Sequence, residues 1–118
     1  MAKPFYELRI WQFGYRLLME IYDITENFPA EEKYNLKFQL RNSGNSVISN
    51  IVEAHGRYYF ADKVRVLYNS RGELEETRSH LRVAVGRGYI DEGTFKKIDE
   101  SYEELTKEIN AYIKSPRK

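Results

Sequence analysis

The sequence predicts an all-α protein, an antiparallel up-down-up-down four-helix bundle, on three observations. Apolar residues recur at alternating three- and four-residue steps through four stretches of the chain, the spacing that lines one face of a helix. The first three stretches end in residues that break or cap helices, Pro29, Gly56 and the run Gly86-Arg87-Gly88, so the connections are short and successive helices lie side by side. With 118 residues, 42% hydrophobic and 31% charged, the chain suits one domain, which at this size hides roughly two-thirds of its unfolded surface without metal or disulfide.

The first helix is expected over about residues 6–28. It carries two apolar seams, Leu8, Trp11, Tyr15, Leu18, Tyr22 and Ile10, Gly14, Leu17, Ile21, Ile24, Phe28. At ~100° per residue the seams are adjacent and together cover about 200° of arc, leaving Arg9, Gln12, Arg16, Asp23 and Asn27 for water. Phe28-Pro29 closes it, because proline disfavours helical geometry in the residue before it. The second helix is expected over about 32–55, on Leu36, Leu40, Ser43 or Gly44, Val47, Ile51 and Ala54. Its middle, Asn42-Ser43-Gly44-Asn45-Ser46, collects five poor helix formers. That run reads either as a loop between two short helices or as a helix whose small side chains admit a neighbouring backbone. The stripe stays in phase across it, which favours a continuous helix with Gly56 as its C-terminal cap.

The third helix is expected over about 61–86, on Val64, Leu67, Leu74, Leu81 and Val85, with Gly86 or Gly88 taking the left-handed cap. Asp62 and Asp91 favour helix starts on either side of this stretch. The fourth, about 92–113, has the narrowest stripe, Phe95, Ile98, Tyr102, Leu105, Ile109 and Tyr112, before a frayed tail at 114–118.

Composition narrows function. There is no cysteine, so thiolate metal sites, cysteine nucleophiles and disulfides are excluded, and a cytoplasmic setting is expected. No apolar run reaches the roughly 18 residues of a membrane span, and Met1-Ala2-Lys3-Pro4-Phe5 lacks the apolar core of a secretory signal. The histidines, His55 and His80, stand apart without metal-ligand spacing, and Glu73, Glu75 and Glu76 fall at ion-pairing distances from Arg78 and Arg82. Gly86-Arg87-Gly88 lacks the third glycine and preceding strand of a dinucleotide loop. No enzyme activity, cofactor or metal is expected.

A formal net charge of +1 argues against a dedicated nucleic-acid binder, yet the small basic excess lies mid-chain. Lys37 and Arg41 stand one turn apart, and Arg57, Lys63, Arg65, Arg71, Arg78, Arg82 and Arg87 follow among Tyr58, Tyr59, Tyr68 and Tyr89. Arginine with tyrosine suits phosphate contact and base stacking, although such side chains also solvate ordinary helix faces. A symmetric oligomer would multiply a weak patch into a ring of positive charge. The first helix favours such an oligomer unless the other three helices cover both its faces: one seam suffices for a core, and the aromatic seam Leu8, Trp11, Tyr15, Leu18, Tyr22 is the candidate interface.

The stretch from Ser46 to Arg57, SVISNIVEAHGR, resembles the signature of a bacterial four-helix-bundle family, the proteins encoded in intervening sequences of 23S ribosomal RNA genes. Leu8-Arg9-Ile10-Trp11-Gln12, Phe28-Pro29, Tyr34-Asn35-Leu36, Gln39-Leu40-Arg41, Gly72-Glu73-Leu74-Glu75-Glu76 and Gly88-Tyr89-Ile90 also fall where the family has its landmarks, so the resemblance spans residues 5 to 112. It implies a left-handed bundle assembled as a homopentamer, with the 42–46 run helical. It implies no enzyme. The accessory subunits of diversity-generating retroelements, pentamers that bind nucleic acid and a reverse transcriptase, are similar to this family. The sequence departs from the family pattern at Ile48, where proline is frequent, at Val52 and Ala54, where alanine or glycine-type small residues are usual, and at Thr77-Arg78, where leucine-glutamate is usual.

The signature residues carried over are Asn50, Glu53, Gly56 and Arg57. They are expected to be structural, Glu53 pairing with Arg57 and Asn50 bonding a neighbouring helix end. The expected function is binding of RNA or a nucleoprotein partner, with Arg41, Arg57, Lys63, Arg65, Arg71, Arg78 and Arg82 as candidates for phosphate contact. The alternative is an assembly scaffold, for a reverse transcriptase for example, that recruits protein through Tyr58 and Tyr59.

Overall fold

The computed structural model describes residues 3–114, in which four helices account for most of the chain and no strand occurs. A short 3-10 turn, Phe5–Glu7, leads into α1, Arg9–Thr25; a second turn, Ala30–Glu32, leads into α2, Leu36–Gly56; α3 is Phe60–Gly86 and α4 is Glu92–Ile113. Contacts between neighbours run in opposite directions along the chain. Ser70 Oγ donates to the Val47 carbonyl at 2.7 Å and Thr77 Oγ1 to Ser43 Oγ at 2.8 Å, which sets α3 antiparallel to α2. Arg78 reaches Asp99 and Arg82 reaches Glu92, so α4 runs antiparallel to α3, and Arg9 pairs with Glu108 across α1 and α4. The result is a four-helix bundle whose packed pairs are α1 with α2, α2 with α3, α3 with α4, and α4 with α1.

The first two helices start later than the expected residues 6 and 32. Leu8 is extended, with φ −71° and ψ 131°, so residues 5–7 form their own turn and α1 begins at Arg9. At its other end α1 stops at Thr25, ahead of Phe28-Pro29. Pro29 opens the turn Ala30–Glu32 rather than a long helix, and Glu32 reaches forward so that its carboxylate accepts the Leu36 N–H at 3.1 Å. A bond from the Tyr89 hydroxyl, together with this one, holds the Glu32 carboxyl below the usual carboxylate range.

The run 42–46 is continuous helix, and its small residues are used for close packing. Ser43 and Gly44 are buried, and a Cβ built at Gly44 would lie 3.2 Å from Leu18 Cδ1. Gly14 sits deeper still: a Cβ there would be 2.6 Å from Ile48 Cγ2. At Gly14 a side chain would displace Ile48, and at Gly44 it would press on Leu18, so α1 and α2 approach closely at these two glycines.

The helix ends correct one expectation. Gly56 is the last residue of α2 with no left-handed geometry, and Arg57 after it is extended. The end is closed instead by Lys63, whose ammonium donates to the carbonyls of Ala54 at 3.4 Å and His55 at 3.0 Å. The left-handed position follows α3, at Gly88 with φ 79°. There the Gly88 N–H donates to the Val85 carbonyl and the Tyr89 N–H to Ala84, the paired bonds of a glycine-closed helix terminus. Asp91 caps α4 by accepting the Thr94 N–H at 2.7 Å. Lys114, first residue of the expected tail, donates to the Asn110 carbonyl; residues 115–118 lie outside the described part.

The core is built on the expected faces, with Ile10, Leu17, Ile21, Leu40, Val47, Ile51, Leu67, Leu74, Leu81, Ile98, Leu105 and Ile109 all buried. Tyr102 is buried among them, and burial pushes its phenol well above the usual range. Among the described residues, no helix is long and apolar enough to cross a membrane.

Candidate nucleic-acid interface

The cations expected to meet phosphate lie on α2, the α2–α3 junction and α3, and most are engaged by the protein itself. Arg41 packs its guanidinium over the Tyr22 ring at 4.4 Å, donates from Nε to Thr25 Oγ1 at 2.8 Å, and donates from Nη2 to the Tyr22 carbonyl at 3.2 Å and to Glu26 at 3.3 Å. It closes the C-terminal end of α1, where a cation is favoured. Arg57 pairs with Glu53 at 2.7 Å, and Arg65 stands 3.9 Å from Asp62. Arg78 meets three carboxylates, Glu75, Asp99 and Glu103, and hydrogen bonding to Asp99 pushes its pKa above the ordinary arginine value. Arg82 pairs with Glu92 at 2.9 Å while lying over the Phe95 ring. Lys63 is committed to the end of α2, and Arg71 lies over Tyr68 at 5.1 Å.

These residues do not converge. Arg65, Arg71, Arg78 and Arg82 are strung along roughly 25 Å of α3 at 1.5 Å per residue, each with its own local partner. As a phosphate surface, α3 is largely neutralised by its own carboxylates and those of α4.

A different set of side chains does converge. The turn before α2 and the first two turns of α2 place Lys33, Tyr34, Lys37 and Phe38 beside Tyr22 and Arg41, around a groove of about 450 Å³. Asn42 and Asn45 continue the same wall. Among the described residues no carboxylate lines it, and three of its residues are exposed rings: Tyr22 at 42%, Phe38 at 56% and Tyr34 at 79%. Lys33 Nζ stands over the Tyr34 ring at 5.4 Å. The sequence signal for this site is the one-turn spacing of Lys37 and Arg41. Phe38 and Tyr34 escape sequence reasoning as site residues because Leu36 and Leu40 dominate the local periodicity.

The aromatic seam of α1 divides. Leu8 and Leu18, expected at an intersubunit surface, are buried in the chain's own core. Leu18 packs where Gly44 leaves room, and Leu8 is buried from an extended position ahead of α1. Trp11 is half-buried and Tyr15 and Tyr22 are exposed. Trp11 stacks on Tyr15 at 5.1 Å with an interplanar angle of 14°, and Phe5 meets Trp11 edge-on at 5.3 Å. Of the signature residues, Glu53 and Arg57 form their ion pair, but Asn50 donates to the Ser46 carbonyl of its own helix at 2.8 Å rather than to a neighbouring helix end. Among the described residues, no cluster of His, Cys, Asp or Glu has the arrangement to hold a metal ion.

Fold and surface together define a helical bundle with an aromatic, cationic groove where α1 meets α2. The chain belongs to the 23S rRNA-intervening sequence protein family, whose model matches residues 6–111. It is similar in fold to the crystal structure of a protein of unknown function from the S23 ribosomal protein family of Bacteroides thetaiotaomicron VPI-5482, with a TM-score of 0.78 and 23% identity over 90% of this chain and 99% of that one. No curated protein matches the chain significantly.

Proposed function

We propose that this protein is a non-enzymatic, cytoplasmic homo-oligomer, a pentamer as the family resemblance implies, that binds RNA or an RNA-containing partner. The observation that carries this reading is the groove around Lys33, Lys37 and Phe38, where cations and exposed rings meet without a lining carboxylate. Lysine ammoniums suit phosphate and exposed rings suit bases, and repetition of the groove around a ring would multiply a weak single-site affinity. The exposed half of the α1 seam, Trp11 and Tyr15, supports assembly, because stacked aromatics at a surface are favoured anchors between subunits.

A second reading is an accessory scaffold, for instance for a reverse transcriptase, that binds protein alone. It is favoured by Tyr58 and Tyr59, 88% and 68% exposed and packed edge to face at 4.9 Å between α2 and α3. Multi-angle light scattering with mixed RNA at ~50 mM and ~200 mM salt separates the two, since phosphate contacts weaken steeply over that range and a mostly apolar protein interface does not. A pentamer that carries RNA at the lower salt and releases it at the higher supports the first reading. Trp11→Ala and Tyr15→Ala are expected to dissociate the oligomer before each subunit unfolds. A wild-type monomer that carries no RNA sinks both the assembly and the RNA-binding parts.

A further inference from the structure

We propose that the groove between the end of α1 and the start of α2 is a site for an unpaired nucleotide of single-stranded RNA, its base stacked on Phe38 and Tyr34 and its flanking phosphates held by Lys33 and Lys37. This assignment rests on the RNA-binding reading and sharpens it to one place and one form of RNA.

Cationic and aromatic side chains coincide in the groove. Arg9, Arg57, Arg65, Arg78 and Arg82 each face a carboxylate, whereas Lys33 and Lys37 line a groove without one. Glu26, at the end of α1, is taken up by Arg41. Lys33 and Lys37 therefore bring positive charge to the groove without an ion-pair partner among the described residues, on a chain whose net charge is only +1.

The shape of the aromatic surface narrows the ligand. Phe38 and Tyr34 carry no core function, being 56% and 79% exposed, yet both border one concavity. Its volume, about 450 Å³, falls in the range of about 300–1,000 Å³ found for sites that hold small organic groups. A ring at the wall of such a groove stacks on the face of a base, and inside a duplex those faces are covered by neighbouring pairs, so an unpaired base offers the face that an interior paired base does not. The interior of duplex RNA is then left with backbone and groove contacts, to phosphates and 2′-hydroxyls, without stacking.

One wall of the groove is also ordered in advance. The Arg41 guanidinium is fixed over Tyr22 by three hydrogen bonds, so that side of the site is in place before a ligand arrives. Asn42 and Asn45 extend the wall with amide groups that can meet a base edge.

Fluorescence anisotropy on the full chain tests the proposal with a labelled mixed-sequence RNA of about 12 nucleotides, single-stranded or annealed to its complement. At ~50 mM salt the single strand should bind more tightly than the duplex. Phe38→Ala should weaken single-strand binding by about 5-fold or more while leaving duplex binding unchanged, and Phe38→Tyr should retain the wild-type affinity. Circular dichroism should show native helix content in both variants, as the ring is more than half exposed. If the wild type binds RNA but prefers neither form and Phe38→Ala binds as the wild type does, the groove is not the site, although RNA binding stands. If Phe38→Ala dissociates the oligomer in light scattering, the groove is a contact between copies and the proposal is overturned. If the wild type binds neither RNA, the RNA-binding reading falls and this site with it.

Discussion

Replacing Gly14 by alanine tests how closely α1 and α2 approach. An alanine in a helix interior is favoured over glycine by about 1 kcal/mol from backbone entropy alone. Gly72, in the exposed middle of α3 with nothing within 4 Å of where an added methyl group would stand, should show that gain, so Gly72→Ala is expected to stabilise by about 0.4–1 kcal/mol. At Gly14 the same methyl would sit 2.6 Å from Ile48 Cγ2, about 1 Å inside ordinary carbon contact. Ile48 is buried and β-branched, so its side chain has little rotameric room to retreat, and Leu105 Cδ2 closes the other side at 3.6 Å. Overpacking of this kind costs about 1–3 kcal/mol. Net of the helix gain, Gly14→Ala should destabilise by about 1 kcal/mol, a fall of roughly 4 °C in Tm. Thermal and urea unfolding at one fixed protein concentration measure both substitutions, since assembly makes apparent stability depend on concentration. In an Ile48→Ala background, where Cγ2 is gone, Gly14→Ala should turn neutral or stabilising. Were Gly14→Ala to raise Tm as much as Gly72→Ala in the wild-type background, the tight α1–α2 contact would be refuted.

Thr77→Val should cost about 1–3 kcal/mol in urea unfolding with an unchanged m-value, because it strips the 2.8 Å bond from the buried Ser43 hydroxyl; the double variant with Ser43→Ala should cost less than the sum of the two. Asp91, the cap of α4, has its carboxyl held below the usual range by the Thr94 N–H, so its stabilisation is complete above the unfolded value of about 3.9 and is lost as pH falls through the lower folded value. Asp91→Asn keeps a capping oxygen but should remove that part of the acid dependence, read as a smaller drop in Tm between pH 5 and pH 2, which are about the limits of the carboxylate window.

Four helices are legible in the sequence because each has an apolar stripe that persists over several turns. The α4 pattern is the plainest case, with Ile98, Tyr102, Leu105 and Ile109 all buried. The run 42–46 is legible only through phase: propensity alone breaks the helix there, and packing of Gly44 against Leu18 overrides it. What the stripe cannot reveal is the reach of individual side chains. Lys63 closes α2 from seven residues beyond its end, a contact that follows from the angle between α2 and α3 and not from either helix alone. For the same reason Gly56, a cap by its position in the sequence, has no left-handed role to play. Leu8 and Leu18 fall on the aromatic seam by helical angle, yet one lies before the helix begins and the other meets a glycine gap. The cation pattern is visible in the sequence, and so are local pairs such as Glu53 with Arg57 and Glu75 with Arg78, but the pairs made between helices are not. Asp99 and Glu103 lie 21 and 25 residues from Arg78, far outside the i to i+4 range in which a sequence discloses its ion pairs.

The groove owes its existence to how α1 ends. The chain leaves α1 at Thr25 and turns at Pro29, and the 3-10 turn that follows carries Lys33 and Tyr34 back alongside the first turns of α2. A helix end leaves carbonyls without partners, and Arg41 supplies one to the Tyr22 carbonyl while its guanidinium covers the Tyr22 ring. Arg41 is thus a structural clamp as well as a wall of the groove, and its removal would disturb the end of α1 whatever the groove binds. Lys33 and Lys37 have no such duty in the fold. For two phosphate contacts to a single strand, the slope of log affinity against log salt is about −1.4, and a rise from ~50 mM to ~200 mM salt weakens binding about 7-fold. The two lysines, and not the arginines along α3, are the residues whose loss separates charge at this surface from stability of the bundle.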